Sequence, residues 1–287
     1  STTQGNLHAE HVVNAGGLWA REVGRMVGLE LPLLAMQHHY LITEEIPEVA
    51  ASPTEMLHIV DFDGEIYMRQ EGKGMLMGTY ERAGMPWSED TTPWDFGHEL
   101  LPPDLDRIAP SLEIGFKHFP AFERAGIKKL INGPFTFAPD GNPVVGPVRG
   151  LKNYWLACGV MAGFSQGGGV GLALSNWMIH GDPGFDVWAM DASRFGDWAT
   201  KAYANAKVRE NYSRRFRIRF PNEELAAASG CSVRRPTGVA ISSRPGRPSV
   251  PTSSKRSDSS APSRAGPIST FGSLGSAMPR GEATCRT

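Results

Sequence analysis

The chain has 287 residues, with 29 Lys plus Arg against 30 Asp plus Glu and a formal net charge of −1. No stretch of the sequence approaches the ~18 consecutive apolar residues of a membrane-spanning helix, which excludes an integral helical membrane protein. Three cysteines, Cys158, Cys231 and Cys285, are too few for a disulfide framework and lack metal-ligand spacing. The near-zero charge is a sum over two unlike regions. Residues 229–287 hold nine basic and two acidic groups, 14 Ser and 7 Pro, so they carry +7 and the preceding 228 residues carry −8. Leu, Ile, Val and Phe total 7 of those 59 residues, too little apolar surface to offset the entropy of ordering. The expectation for 229–287 is therefore a disordered tail. Its abrupt start after Ala228 favours an origin in a shifted reading frame, and its scattered arginines do not form the basic blocks of a nucleic-acid-binding arm.

The chain opens at Ser1 without Met and without a signal-peptide pattern, and it reads as starting inside a domain. Residues 1–13 are expected to be a hairpin remnant running into a buried strand that ends at Asn14. Leu18 to Leu29 follows a helical period, which puts Leu18, Val23, Met26 and Val27 on the apolar face and Arg21, Glu22 and Arg25 on the polar one. Leu33 to Thr43 reads as a strand. The three short strands His58–Asp61, Glu65–Gln70 and Met75–Tyr80 are separated by turn signals at Asp63-Gly64 and Gly72-Lys73-Gly74, which predicts an antiparallel sheet. Pro102 to Phe119 is a helix with Leu105, Ile108, Leu112 and Phe116 in register and acidic residues in its first turn. Lys128–Phe137 and Asn153–Cys158 are strands, Gly171–Ile179 is a helix, and Thr200–Tyr212 is a polar helix. The fold class that follows is α/β plus α+β.

Three constellations could carry chemistry. Gly159 to Gly171 places six glycines in 13 residues between a strand and a helix, where backbone and a helix N-terminus can approach a flat polar ring or a phosphate. It lacks the P-loop lysine and the G-x-G-x-x-G spacing, and tight helix–sheet packing is the alternative reading. Ala15-Gly16-Gly17 repeats the strand-to-helix arrangement more weakly. On the strand Gln37-His38-His39-Tyr40, alternation sends His38 and Tyr40 to one face and His39 to the other, so the histidines do not converge on a metal. Tyr67 and Arg69 share a face of another strand: turned inward they could hold a small carboxylate, turned outward they are sheet surface.

In order along the chain, Val12–Arg21 (VVNAGGLWAR), Gln37-His38-His39-Tyr40, Tyr67-Met68-Arg69-Gln70, Asn132-Gly133-Pro134, Pro139–Pro147 and the Gly159–Gly171 run resemble the flavoprotein half of the dimethylglycine and sarcosine dehydrogenases, within the D-amino-acid-oxidase-type family. The resemblance implies the C-terminal part of a Rossmann-type FAD domain with an inserted antiparallel-sheet substrate domain. Residues 1–32 are then an FAD-domain remnant, 33–130 the substrate domain, 131–190 the return to the FAD domain, 191–228 an extension and 229–287 the tail. It implies oxidative demethylation of a small N-methyl amino acid by hydride transfer to FAD, with His38 and Tyr67 beside the amine and an apolar pocket favouring its neutral form. Ala15, Gly16 and Trp19, and the loop Gly159, Val160, Met161, Ala162, Gly163 and Phe164, are the implied FAD contacts. Tetrahydrofolate enters only through a C-terminal domain that this chain lacks. An electron-transfer flavoprotein is the implied electron acceptor. Nucleic acid and membrane are not expected partners, and the implied compartment is the cytoplasm of a bacterium or the mitochondrial matrix. Ser165 stands where related oxidases carry a lysine, which favours a dehydrogenase. The opening G-x-G-x-x-G and the segment bearing the flavin-linking histidine are absent, so the implied state is a fragment. A non-catalytic regulator of the kind found in pyruvate dehydrogenase phosphatase is the alternative.

Overall fold

The computed structural model describes residues 3–216. The chain divides into the units Ser1–Arg234 and Arg235–Thr287, and the described residues lie in the first. The expectations for 229–287, and for most of the last stretch of the 191–228 extension, lie outside the described residues. In chain order the elements are β1 (Val12–Asn14), a 3-10 turn (Gly17–Trp19), α1 (Ala20–Arg25), β2 (Leu34–Thr43), α2 (Pro47–Ala50), β3 (Ile59–Asp61), β4 (Ile66–Glu71), β5 (Gly74–Thr79) and β6 (Pro86–Ser88). There follow α3 (Leu105–His118), α4 (Pro120–Ala125), β7 (Ile127–Phe137), β8 (Val144–Pro147), β9 (Tyr154–Cys158), α5 (Gly163–His180) and α6 (Lys201–Tyr212).

Two sheets form. The larger has six strands in the order β3-β4-β5-β2-β6, with β7 on the free side of β2, and all its pairings are antiparallel. β7 pairs with β2 along its full length, from Leu34↔Phe137 to Thr43↔Ile127. Pro134 is tolerated in β7 because that strand has only one neighbour and its outer edge needs no N–H donor. The other side of β2 is shared: β6 pairs at Ala35 and Met36, and β5 at Tyr40 to Ile42. Between those two, beside His38 and His39, the ladder is open. The smaller sheet has the order β1-β9-β8, with β1 and β9 parallel.

Strand alternation sorts the larger sheet into two cores. Leu41, Ile66, Met68, Met75 and Met77 meet Ile108 and Leu112 of α3 and Phe122 of α4. A Cβ on Gly115 would come within 2.7 Å of Ile66 Cδ1, so this glycine lets α3 lie close on the sheet. The opposite face packs Leu34, Met36, Tyr80 and Phe137 against Val208 and Tyr212 of α6. α3 starts where Asp104 caps it, its carboxylate accepting from Arg107 N–H at 3.1 Å, and Leu105 remains exposed.

Several expectations change. The residues before Val12 make no hairpin strand among those described, and Val12 and Val13 are exposed because β1 is an edge strand with β9 alone beside it. The helix expected over Leu18 to Leu29 is only Ala20–Arg25, and its sides are not as expected: Arg21 and Glu22 are 3% and 5% exposed, while Met26 and Val27, in the turn after it, face solvent. Arg21 is satisfied by the carbonyls of Glu89, Ser88 and Leu33 at 2.9, 3.3 and 3.4 Å, and Glu22 accepts from Thr92 N–H at 2.9 Å. Those partners are remote in sequence, and periodicity cannot see them. The boundary placed between 130 and 131 falls inside β7, which stays paired to β2 as far as Phe137. The helix expected from Gly171 begins eight residues earlier, so the glycine run is helical from Gly163 onward. Val170 and Leu174 pack on Val145 and Trp155 and hold the helix, which extends through the glycines although each costs about 1 kcal/mol relative to Ala.

Candidate functional site

The site begins at the open stretch of the β2 ladder. His38 points to the α6 face, where its ring lies 4.7 Å from Phe135 and 4.8 Å from Tyr80 between centroids and is stacked with Tyr67. Its Nε2 is 2.9 Å from the Tyr67 hydroxyl and its Nδ1 is 2.9 Å from the Tyr212 hydroxyl. Tyr212 in turn donates to Glu81 Oε2 at 2.8 Å. The structure thus brings His38 and Tyr67 together and adds Tyr212 and Glu81 to them. Arg69, on the same strand face, lies at the exposed edge and pairs with Glu71, so Tyr67 turns inward without it and the two do not form a joint carboxylate site.

Glycines make room for these rings. Tyr67 lies across Gly78 of the neighbouring strand, where a Cβ would sit 2.0 Å from its Cζ. Gly84 does the same for Tyr212, with a Cβ 2.4 Å from Cδ1. Neither glycine has a positive φ, so the requirement is space and not backbone conformation.

His39, fully buried, takes the opposite face, toward α3. Its Nε2 accepts from Asp104 N–H at 3.1 Å, and Arg107 Nη2 lies 3.3 Å away and donates to Gln37 Oε1 at 2.9 Å. Glu81 Oε1 is 3.7 Å from His39 Nδ1 and 3.6 Å from Arg107 Nε. One carboxylate, reaching the sheet where the ladder is open, touches the polar groups of both faces through its two oxygens.

Burial dominates the ionisation of this cluster. It pushes His38 down to about 4, the Glu81 charge only partly opposing it, so the imidazole is neutral at neutral pH. The Tyr67, Tyr80 and Tyr212 phenols are all pushed up by burial and stay protonated. Burial also works against the Glu81 carboxylate, but the nearby His39 ring, the backbone and the hydrogen bond from Tyr212 outweigh it and leave Glu81 below the usual carboxylate range.

The second set of expected residues lies at the ends of the parallel pair. β1 and β9 run side by side with Asn14 opposite Leu156, so the loops that leave their C-terminal ends are neighbours. The first is Ala15 to Trp19, held by Gly16 N–H to Asn14 Oδ1 at 3.1 Å and by Trp19 Nε1–H to Pro93 O at 2.8 Å. The second is Gly159 to Ala162, leading into α5. Open α/β sheets bind ligands outside the carboxyl ends of parallel strands. Gly17 and Gly159 both adopt positive φ, which bends each loop back over its strand. No side chain caps α5, and a Cβ on Gly163 or Gly167 would meet nothing within 4 Å, so its N-terminus is open to a polar group. Gly163 and Phe164 belong to the first turn of this helix and not to a loop, and Phe164 is fully exposed. Val160 packs inward under α5, while Met161 packs against the aromatic cluster of His38's face. Met161 therefore ties the second loop to the buried cluster against which Tyr67 also packs.

Paired loops over parallel strand ends, set beside an aromatic pocket on an antiparallel sheet, define the class. Residues 1–177 match the FAD dependent oxidoreductase family and residues 180–228 match the FAD dependent oxidoreductase central domain. The chain belongs to the FAD-dependent oxidoreductase family, whose cofactor is FAD, and the open glycine-lined helix end and the two loops fit that group. Within the family it is 42% identical over 243 residues to mitochondrial dimethylglycine dehydrogenase of Mus musculus, a match covering 83% of this chain and 28% of that protein. It is 34% identical over 237 residues to mitochondrial sarcosine dehydrogenase of Mus musculus, covering 82% of this chain and 25% of that protein. The chain thus spans about a quarter of the length of these relatives. Among solved structures, L-proline dehydrogenase from P. horikoshii shares the fold with a TM-score of 0.51 at 24% identity, over 64% of this chain and 46% of that chain.

Sequence reasoning missed Tyr212, Glu81, Tyr80 and Phe135. Tyr212 ends a helix that reads as polar throughout, and its 174-residue separation from His38 leaves no local signal. Glu81 directly follows a strand expected to end at Tyr80, where an acidic residue looks like ordinary loop surface. Among the described residues no group of three His, Cys, Asp or Glu is placed to hold a metal ion, and no helix is long and apolar enough to cross a membrane.

Proposed function

We propose that this chain forms the substrate-facing and flavin-ring-facing parts of a dehydrogenase that oxidises a small N-methyl amino acid, dimethylglycine or sarcosine, by hydride transfer to FAD. The observation that carries the reading is that Met161, from the flavin-side loop, and Tyr67 pack against one buried cluster, on the sheet face that carries His38. Likeness to the two mitochondrial dehydrogenases supports the substrate class. In this reading the antiparallel sheet is a substrate domain inserted into an FAD domain of which β1, α1, β8, β9 and α5 are parts, and electron-transfer flavoprotein is the acceptor.

Bound FAD supplies a two-electron acceptor for a hydride from the carbon next to nitrogen. Ala15, Gly16, Trp19 and the 159–164 segment would hold it through backbone groups, and the α5 dipole would favour negative charge near its N-terminus. Tyr67 faces the amine, and His38, whose two ring nitrogens are engaged by Tyr212 and Tyr67, orients Tyr67 toward it. Phe135, Tyr80 and Phe137 exclude water from its surroundings. His38, held neutral, puts no cation beside the substrate nitrogen.

The test is anaerobic mixing of the FAD-loaded protein with dimethylglycine and with sarcosine while flavin absorbance is followed. Bleaching by either amine is expected, and His38→Ala should slow it about 10²–10⁴-fold, the usual worth of a positioned acid–base group. No bleaching by any N-methyl amine, with FAD bound, would overturn the reading and favour a regulator.

A further inference from the structure

We propose that Glu81 and Tyr212 together fix the tautomer of His38, with the proton on Nδ1 and the Nε2 lone pair aimed at Tyr67. Glu81 and Tyr212 are thus positioning residues for the pocket face that meets the amine. The inference deepens the proposed function and rests on it for the identity of the ligand, but the hydrogen-bond order stands on the contacts among Glu81, Tyr212, His38 and Tyr67, with Glu81 ionised and His38 neutral.

The argument starts from the end of the chain of contacts that has no choice. An ionised carboxylate accepts and cannot donate. Glu81 is buried and ionised, with Arg107 Nε 3.6 Å and His39 Nδ1 3.7 Å from Oε1. The Tyr212 proton must therefore lie toward Glu81 Oε2, across 2.8 Å. A phenol has one proton, so the Tyr212 oxygen can only accept from His38 across the 2.9 Å to Nδ1. A neutral imidazole carrying its proton on Nδ1 has a bare Nε2, which accepts the Tyr67 proton across 2.9 Å. Each link is forced by the previous one.

The consequence falls on Tyr67. Its proton is committed inward to His38, so only its oxygen lone pairs are left to face a ligand. The pocket presents an acceptor to an N–H, of a secondary amine or of an ammonium, and offers no donor from Tyr67 to an amine lone pair. The same logic holds where a buried carboxylate orients a histidine through a hydrogen bond and its amide analogue sets the wrong tautomer. Here a tyrosine is interposed, so the carboxylate acts over two hydrogen bonds.

Glu81→Gln tests this with almost no change of shape. A glutamine amide can donate to the Tyr212 oxygen, which then donates to His38 Nδ1, and the order reverses to put the proton on Nε2. The full chain is labelled with ¹⁵N-histidine, and the His38 ring signals are assigned by their loss in His38→Gln. In the unaltered protein near neutral pH, His38 should show a protonated-type Nδ1 and an unprotonated-type Nε2. In Glu81→Gln the two signal types should exchange. In Tyr212→Phe, which removes the acceptor for Nδ1–H, the pure tautomer should be lost to a mixture. An Nε2-protonated His38 in the unaltered protein would overturn the proposal. So would an unchanged pure Nδ1 tautomer in a folded Glu81→Gln chain. Should Glu81→Gln not fold, Tyr212→Phe decides, because retention of the pure Nδ1 tautomer there is equally fatal. The readout needs neither turnover nor amine, so it separates this inference from the oxidation reading: flavin may fail to bleach while the tautomer order holds, or the reverse.

Discussion

In the six-stranded sheet α3 and α4 cover one face and α6 packs on the other against Leu34 and Met36 of β2, and every residue of β5 from Gly74 to Thr79 is buried. In the three-stranded sheet β1 leaves Val12 and Val13 exposed, and α5 turns Phe164, Leu172 and Ile179 to solvent beside glycines where an added Cβ would meet nothing within 4 Å. The polar chemistry lies in the covered sheet. His38, Tyr67, Tyr212 and Glu81 gain their shifted ionisation and fixed hydrogen-bond order from exclusion of water. The loops read as flavin contacts lie where surface is open, which is what admission of a large planar group requires. An apolar surface of that kind is one that further chain or a ligand covers.

That contrast can be broken in order of expected effect. Ile66→Ala, in the core under α3, should cost about 2–5 kcal/mol in denaturant unfolding because a side chain with no exposure leaves a cavity. A cost below 1 kcal/mol would show that the larger sheet is not the packed body of the molecule. Acid should act next. Because burial lowers His38 from 6.5 to about 4, the unfolded chain takes up a proton before the folded one. Stability is then complete above pH 6.5, falls between pH 6.5 and about 4 and levels off below, a loss on the order of 3 kcal/mol. Glu81, also lowered, adds loss in the same direction at lower pH, as its carboxylate protonates in the fold. Stability measured against pH should show this slope, and His38→Gln should flatten its upper part.

Gly78→Ala comes third. The added Cβ must displace the Tyr67 ring, so a cost of about 1–3 kcal/mol is expected, together with a broken stack between Tyr67 and His38 visible in their ring NMR signals. The smallest effect belongs to the other sheet. Val13→Ala, at an exposed edge, should change stability by no more than about 0.5 kcal/mol. A larger loss there would mean that the edge is covered in solution.

The antiparallel hairpins were legible because Asp63-Gly64 and Gly72-Lys73-Gly74 are strong turn signals between alternating strands, and β3, β4 and β5 form within a residue or two of their expected ends. The faces of β2 were legible for the same reason: a period of two sends His38 and His39 to opposite sides whatever covers them. Helix α1 was misread because an apolar–polar period assumes charged groups face water, and Arg21 finds its partners at Leu33, Ser88 and Glu89 instead. The glycine run was misread because local propensity counts against a helix that packing with Val145 and Trp155 sustains.

By itself the sequence determined the periodic elements, the turns between them and the family-like order of His38, Tyr67 and the Gly159–Phe164 segment, since each depends on residues close in the chain. Only the tertiary structure decided what those residues do to one another. It set Tyr212 against His38 across 174 residues, put Glu81 into the open stretch of the β2 ladder and laid Tyr67 over Gly78. Hydrogen-bond direction and desolvation are properties of groups brought together in space, and no spacing along the chain encodes them.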